Sequence, residues 1–207
     1  MKDYKEESRQ HFNRQAKEYD ENTSFSFSYA GKVSCEDVRK YLKDIPFEKL
    51  LDVGSGTGWL IDHLSKEHNA KFDGIDISEN MLEKAKSKNI KNATFCLGQS
   101  DKLPYEDESF DVVTCVQSFH HYPDQEKAMK EVFRVLKKGG LYIISDTGWG
   151  GLLAWIDNNI LFKIVKTGDC KITNKKGLSR KMEENGFKVI RSEKLKFVIY
   201  TVVGKKE

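Results

Sequence analysis

A glycine-rich turn and a carboxylate at a set distance behind it are the first residues whose types could do chemistry. The turn contains Asp52, Gly54, Ser55 and Gly56 in the stretch DVGSGTG. Glycines allow a tight turn and let a ligand approach the backbone, and a helix that follows offers free N–H groups. Asp76 stands twenty residues after Gly56, where a carboxylate can accept both hydrogen bonds of a ribose diol. The combination predicts a ligand that contains a nucleoside.

Each of these signals has a purely structural alternative. The turn could form without a ligand, and its spacing is G-x-G-x-G instead of the G-x-G-x-x-G of dinucleotide-binding folds. Asp76 could cap the next helix, although Ser78 is better placed to do so. Ile77, beside Asp76, could pack on a purine ring.

Further polar residues follow two later apolar runs, ATFCLG and FDVVTCV. A polar side chain after the first of these could bind an adenine amino group, and a histidine after the second could accept a proton because imidazole titrates near neutrality. The histidines could equally pack in a loop or cap the helix that follows Asp124. The residues concerned are Gln99, Ser100 and Asp101 after the first run, and Gln117, His120 and His121 after the second.

The elements that must position these residues alternate between strand-like and helical patterns. Helical patterns fill most of the gaps between the strand-like runs, which predicts βαβ units and a parallel sheet. Ligands of such sheets bind beyond the carboxyl ends of the strands. The predicted strands are 49–53, 71–76, 93–98, 110–116 and 141–145, and the predicted helices between them are 57–68, 78–88 and 124–137.

Both ends of the chain depart from this alternation. Helices are predicted over 4–19 and 32–43, with a loop over 20–30, and the stretch 187–203 predicts a closing β-hairpin. Between the fifth strand and the hairpin, the apolar helical segment 149–165 exceeds what a connection requires. It could cover an apolar substrate, form a homodimer face, touch a membrane surface, or simply pack on the edge of the sheet.

Composition and charge exclude several classes of protein. No stretch approaches 18 consecutive apolar residues, so we expect no transmembrane segment. The four cysteines form no C-x-x-C pair, which argues against structural zinc and predicts reduced thiols in a cytoplasmic protein, and we predict no metal. The net charge of +3 demands no DNA partner, although residues 163–207 carry thirteen Lys and Arg against five Asp and Glu, which leaves RNA open.

Taken together, the motifs resemble those of the class I S-adenosylmethionine-dependent methyltransferases, in particular the ubiquinone/menaquinone-biosynthesis group. The resemblance covers residues 11–146 and rests on a leading F-x-x-x-A-x-x-Y-D element, then LLDVGSGTG, GIDIS, LPYEDESFDVV, SFHH and EVFRVLKKGGLYIIS. It implies an α/β, Rossmann-like three-layer sandwich with N-terminal lid helices. Its seven-stranded, mostly parallel sheet would have the order 3-2-1-4-5-7-6 with the last strand antiparallel.

The resemblance also implies roles for individual residues. Gly54 and Gly56 would pass close to the methionine part of S-adenosyl-L-methionine, with Asp52 nearby, and Asp76 would hold the ribose hydroxyls. The adenine would lie between Ile77 and Met81, and Tyr19 would belong to a lid. One position departs from the family, because Gln99 stands where an Asp usually accepts from the adenine amino group; the Gln99 carbonyl or Asp101 could take that place.

The predicted function is therefore transfer of a methyl group from S-adenosyl-L-methionine to a small-molecule acceptor by in-line displacement, with S-adenosyl-L-homocysteine as product. The alternatives are an NAD-dependent oxidoreductase, a non-catalytic S-adenosylmethionine-binding protein and an RNA methyltransferase. A single domain over 1–207 is expected. It would comprise an N-terminal helical lid (1–45), a cofactor-binding core (46–146), a substrate-side insertion (147–172), and a last helix with the β-hairpin (173–207).

Overall fold

A seven-stranded sheet forms the centre of the molecule, a computed structural model that describes residues 3–20 and 29–207. The strand order is β3-β2-β1-β4-β5-β7-β6, and β7 runs antiparallel to both of its neighbours. The predicted order and the predicted antiparallel last strand are confirmed. The strands are β1 Lys49–Val53, β2 Lys71–Asp76, β3 Ala93–Leu97, β4 Phe110–Val116, β5 Leu136–Thr147, β6 Phe187–Lys196 and β7 Ile199–Lys206.

Helices precede the sheet and connect its strands. The α-helices are α1 Tyr4–Gln15, α2 Ala30–Leu42, α3 Trp59–Glu67, α4 Glu79–Ser87, α5 Gln125–Val135, α6 Gly151–Ile156, α7 Phe162–Ile164 and α8 Lys175–Glu184. A 3₁₀ turn covers Phe119–His121, and a π-helical stretch, Asp157–Leu161, joins α6 to α7. Because the backbone stays helical through this stretch, residues 151–164 form one helical segment.

Two apolar clusters, one on each face of the sheet, make the three layers. Neighbouring strand residues point to opposite faces, so Leu51 joins one cluster and Leu50 the other. The first cluster includes Met129 of α5 and Met182 of α8, and the second includes Leu64 of α3. The cover on both faces explains why the runs VVTCV in β4 and LYII in β5 are almost continuously apolar.

The main differences from the sequence prediction lie at element ends. Helix α5 ends at Val135 and not at residue 137, because Leu136 already pairs with Phe110 as the start of β5. Helix α2 begins at Ala30, two residues earlier than predicted. The predicted loop 20–30 lies outside the described residues over 21–28.

Candidate active site

The carboxyl ends of β1, β2 and β4 meet over two adjoining cavities of about 540 and 680 Å³. Gly54, directly after β1, lines both of them. Residues selected from the sequence line these cavities. In the first they are Asp76, Ile77, Gln99 and Ser100, and in the second they are Asp52, Ser55, Gly56, Gln117 and Tyr19. Most of the residues selected from the sequence for cofactor binding therefore lie around one continuous cleft.

The glycine turn needs the conformational freedom of glycine for a visible reason. Gly54 has φ +78°, and a Cβ there would lie 2.0 Å from Ser118 Oγ in the segment after β4. Gly56 has φ +53° with open space on its side-chain side, and its N–H donates to Asp76 Oδ2 at 2.8 Å. The turn thus leaves room for a ligand and ties the end of β1 to the end of β2.

Asp76 is held by backbone donors while its remaining lone pairs can accept further hydrogen bonds. Its Oδ1 accepts from the Ser78 N–H at 2.9 Å and its Oδ2 from Gly56. Burial raises the pKa of this carboxyl, and the backbone hydrogen bonds oppose the rise. The cap of α4 is Ser78, whose Oγ accepts from the Met81 N–H, so Asp76 is free for another role.

Asp52 lies deeper, at 3 % exposure, and lines the second cavity. Burial raises the pKa of the Asp52 carboxyl to about 7, although the Thr114 hydroxyl that donates to it at 2.7 Å lowers the pKa. Nearby Ser55 Oγ is buried and has no hydrogen-bond partner among the described residues. A buried carboxyl that favours a positive partner and an unpaired hydroxyl fit the charged methionine end of S-adenosyl-L-methionine.

Around the adenine position the structure differs from the simplest interpretation of the sequence. Lys5 of α1 donates to Gln99 Oε1 at 2.7 Å and pairs with the Asp101 carboxylate at 2.7 Å. Asp101 thus contacts a lysine and is not among the residues that line the cavity. Met81 is 1 % exposed and lies outside the cavity lining as well, because its place on α4 turns it into the interior.

Helix α1 and the residues after it cover the cleft through polar contacts. Asn13 Oδ1 accepts from Ser78 Oγ at 2.6 Å, which fastens α1 to the start of α4. Asp20 Oδ1 accepts from Thr57 Oγ1 at 2.6 Å on the glycine turn. Tyr19, beside Asp20, lines the second cavity, where the lid residue was predicted.

A third cavity of about 1200 Å³ lies next to the cleft and is largely apolar. The segment after β5 supplies Trp149, Phe162 and Ile172, and the hairpin turn supplies Phe197 and Val198. Four residues line both this cavity and the cofactor cleft, which makes them a shared wall. They are Phe12, Tyr19, Gln117 and His121.

Gln117 is held in the shared wall at both ends of its side chain. Its Nε2 donates to Ser34 Oγ at 2.9 Å, and its Oε1 accepts from Thr147 Oγ1 at 2.8 Å. Its φ of +49° lies in the left-handed region that costs a non-glycine residue about 1 kcal/mol or more. A strained residue fixed by two hydrogen bonds indicates a position that the site requires.

The two predicted catalytic histidines lie at the apolar cavity, and they differ electrostatically. The ring Nδ1 of His120 lies 2.6 Å from Oδ1 of Asp146, a residue near the end of β5 that is 2 % exposed. The backbone N–H of His120 donates to Oδ2 of the same carboxylate at 3.0 Å. Burial lowers the pKa of His120, but the carboxylates of Asp146 and Asp169 outweigh it and raise the pKa. Burial and the charge of His120 lower the pKa of His121 to about 4, so His121 is the neutral member.

Asp169 adds a group that the sequence prediction missed. Its Oδ1 lies 3.5 Å from both His120 Nε2 and His121 Nδ1, and these ligand-type atoms all lie within 4.8 Å of one another, close enough for one ion to contact all three. Asp169 stands far along the chain in a loop without any motif, so no spacing rule could have found it. Asp146 follows the apolar run LYIIS, and the rule that strand ends face the site would have identified it.

The known proteins that this chain resembles include methyltransferases. Residues 51–144 match the family model described as a methyltransferase domain. The demethylmenaquinone methyltransferase of Staphylococcus aureus (strain JH9) is 40% identical over 149 residues, which are 69% of this chain and 61% of that protein. The corresponding protein of Alkalihalophilus pseudofirmus is 37% identical over 63% of this chain and 58% of its own. The chain spans about half the length of the curated relatives it matches.

Solved structures share the fold. The YcgJ protein from Bacillus subtilis is 26% identical with a TM-score of 0.68, over 77% of this chain and 71% of that one. A Thermotoga maritima SAM-dependent methyltransferase, described as a possible histamine N-methyltransferase, covers 96% of this chain and 99% of its own with a TM-score of 0.72 at 22% identity. At that identity the likeness concerns the fold alone.

The sheet order, the cleft at the strand ends and the matched domain together define a class I methyltransferase fold. Residues 51–144 form a methyltransferase domain of this class, and the chain resembles the methyltransferases of the ubiquinone/menaquinone type. Among the described residues, none of the helices combines the length and apolarity that crossing a bilayer needs.

Proposed function

We propose that this protein transfers a methyl group from S-adenosyl-L-methionine to a small, largely apolar acceptor. The observation that carries the proposal is the shared wall, because the cleft that contains Asp52 and Asp76 in its lining and the apolar cavity meet at the same four side chains. A donor in the cleft and an acceptor in the cavity would thus be neighbours. The demethylmenaquinone methyltransferases among the relatives make a hydroxylated aromatic ring the first acceptor class to test.

The cleft residues divide the work of binding the cofactor. Asp76 would accept from the ribose hydroxyls, and Ile77 with Ser100 and Gln99 would surround the adenine. On the other side of Gly54, the methionine part would contact Gly56 and Ser55, and ionised Asp52 would face its positive charge. The lone pairs that Asp76 retains and the unpaired Ser55 hydroxyl support this orientation.

The protein forms no covalent bond to the methyl group in this reaction. When bound, the cofactor supplies an electrophilic methyl group on its sulfonium. The protein must align the acceptor with that methyl and exclude water, and orientation alone can lower a barrier by about 7–11 kcal/mol. Phe12, Tyr19 and His121 border both cavities, so we assign the alignment to them.

An acceptor that carries an O–H or N–H must also lose a proton, and we assign this step to His120. Nε2 of His120, which lies 3.5 Å from Asp169 Oδ1, would take this proton, because a neutral His120 ring keeps its own proton on Nδ1, against the carboxylate of Asp146. The same carboxylate stabilises the imidazolium that forms. His121, with its lowered pKa, stays neutral and acts as a wall and hydrogen-bonding residue.

The N-terminal helices would form the lid of the domain. Lys5, Asn13 and Asp20 bind residues after β3, at the start of α4 and in the glycine turn. Opening these contacts would admit the cofactor, and closing them would exclude water. The reduced-thiol composition supports a cytoplasmic location.

Two experiments test the proposal. Thermal melts with S-adenosyl-L-methionine, S-adenosyl-L-homocysteine or NAD identify the cofactor, since a ligand at 100 times its dissociation constant adds about 2.7 kcal/mol. Stabilisation by NAD alone would reject the proposal. A transfer assay with labelled methyl donor then screens quinols, phenols, amines, thiols and transfer RNA.

A chelator arm of the same assay separates the two ways in which the histidines can act. Activity that persists in EDTA is the result expected when His120 takes the proton, as proposed. Activity lost in EDTA and restored by a divalent cation would instead give His120, His121 and Asp169 the role of metal ligands. Turnover of transfer RNA, or of no acceptor at all, would favour the RNA-modifying or the non-catalytic alternative.

A further inference from the structure

The helical segment 151–164 exposes an apolar surface that the methyl-transfer site does not use. Leu152 is 72 % exposed, Leu153 64 % and Ile164 71 %. We name this surface the apolar helix face; its members are Leu152, Leu153, Trp155, Ile156, Ile160, Leu161 and Ile164. Scattered exposed hydrophobic residues are normal, but a continuous set of this size on one segment marks an interaction surface.

The segment keeps charge away from this face. Asp157 is the one charged residue in the sequence from 151 to 162, and its Oδ2 accepts from the Trp149 indole N–H at 2.8 Å. Asn158 is likewise turned inward, where it bonds both backbone groups of Ile172. The inner side of the segment packs through Ala154 and Phe162 in a small cluster of its own. The outer side is therefore almost wholly apolar.

Lysines border the face, which decides what kind of partner fits it. Lys163 and Lys166 are exposed at its C-terminal end. Lys196 is exposed next to Phe197 in the hairpin turn, and Phe197 lines the same apolar cavity as Phe162 of the helical segment. An apolar face with basic residues at its border is the pattern of helices that lie in the interface of an anionic membrane.

We propose that the apolar helix face binds the surface of an anionic lipid bilayer, with the segment lying in the plane of the interface. A second copy of the chain would cover the same apolar area, but residues 151–166 of that copy offer only one carboxylate, Asp157, which is already bonded to Trp149, so the border lysines would lack anionic partners. Anionic headgroups neutralise those lysines instead, so the charge distribution favours lipid. The proposal does not depend on the methyl-transfer function, because neither the cofactor nor an acceptor takes part.

Vesicle co-sedimentation of the full chain tests the proposal without cofactor. We expect binding to vesicles of phosphatidylglycerol and phosphatidylcholine, and much weaker binding to phosphatidylcholine alone. The double variant Leu152→Ser, Leu153→Ser should lower the partition coefficient at least tenfold, since it removes two apolar anchors. Lys163→Gln with Lys166→Gln should lower it about tenfold on anionic vesicles only.

Ile190→Ser is the matched control, because Ile190 is 46 % exposed on β6, outside the apolar helix face. It should bind like the unmodified protein, and thermal melts confirm that each variant folds. Absence of binding to anionic vesicles overturns the proposal, as does equal loss in the Ile190 variant. Light scattering that finds a dimer abolished by the leucine substitutions also overturns it and makes the face an interface between two copies.

Discussion

The cofactor side and the acceptor side of the site are built in different ways. On the cofactor side, Asp52 lies within β1, one residue before its end, and Asp76 ends β2; hydrogen bonds from Thr114, Gly56 and Ser78 fix the two carboxyls. On the acceptor side, the cavity wall comes from the segment after β5 and from the hairpin turn, and its packing is apolar. In the proposed function the sheet would thus fix the position of the methyl donor, while peripheral segments would decide what is methylated.

The largest expected effect is a loss of kcat when His120 is replaced. His120→Ala should lower kcat about 10³-fold for an O–H or N–H acceptor, because it removes the proposed proton acceptor. The dissociation constant of S-adenosyl-L-methionine, measured by calorimetry, should change less than about twofold. Asp146→Asn should lower kcat as well, since the Nδ1 proton loses its charged partner. An unchanged kcat in both variants would remove His120 from the mechanism.

Next in size is the loss of the ribose contacts. Asp76→Ala should weaken S-adenosyl-L-methionine binding about 100-fold, because hydrogen bonds to a charged group contribute about 1.5–3 kcal/mol each. Titration calorimetry measures the change. Thr94→Ala, on exposed β3 surface, is the control and should bind normally. Undiminished affinity in the Asp76 variant would place the ribose elsewhere.

A smaller effect should appear as pH dependence on the cofactor side alone. The pKa of Asp52 is raised to about 7 in the free protein, so its carboxyl is mostly protonated at pH 6 and ionised at pH 8. A positively charged cofactor favours the ionised form, so affinity should rise about tenfold from pH 6 to pH 8. Asp52→Asn should remove this dependence in the same calorimetric series. A slope that survives in the variant would assign the titration to another group.

The smallest expected effect is a change in the acceptor KM when a residue of the apolar cavity is replaced. Phe162→Ala should raise the acceptor KM about fivefold, because it removes apolar wall area from the cavity. Cofactor affinity should stay unchanged, since Phe162 borders only the apolar cavity among the three of the site. Steady-state kinetics with saturating cofactor measure the KM, and a comparable change in cofactor affinity would mean that the two sides are coupled.

The sequence predicted the residues at the strand ends better than those in the peripheral segments. The alternating strand and helix patterns predicted a parallel sheet, and the family resemblance implied its strand order. The strand-end rule predicted that Asp52, Asp76 and Gln117 lie at the site, and the structure places them beside the cleft. The sequence analysis did not identify Lys5 and Asp169 as site residues, because the residues they contact lie far away in sequence. Met81 was expected beside the adenine, but helical periodicity cannot tell an inward side chain from one at the cavity rim.

The shared wall has a consequence for selectivity. With the donor bound as proposed, a nucleophile in the apolar cavity would approach the methyl group past Phe12, Tyr19, Gln117 and His121, a gate in which Gln117 has a left-handed backbone. An atom at the outer edge of a flat molecule can enter such a gate, whereas one flanked by bulky substituents is kept out. A methyltransferase that works as proposed should therefore choose among positions on a ring more strictly than among the rings themselves.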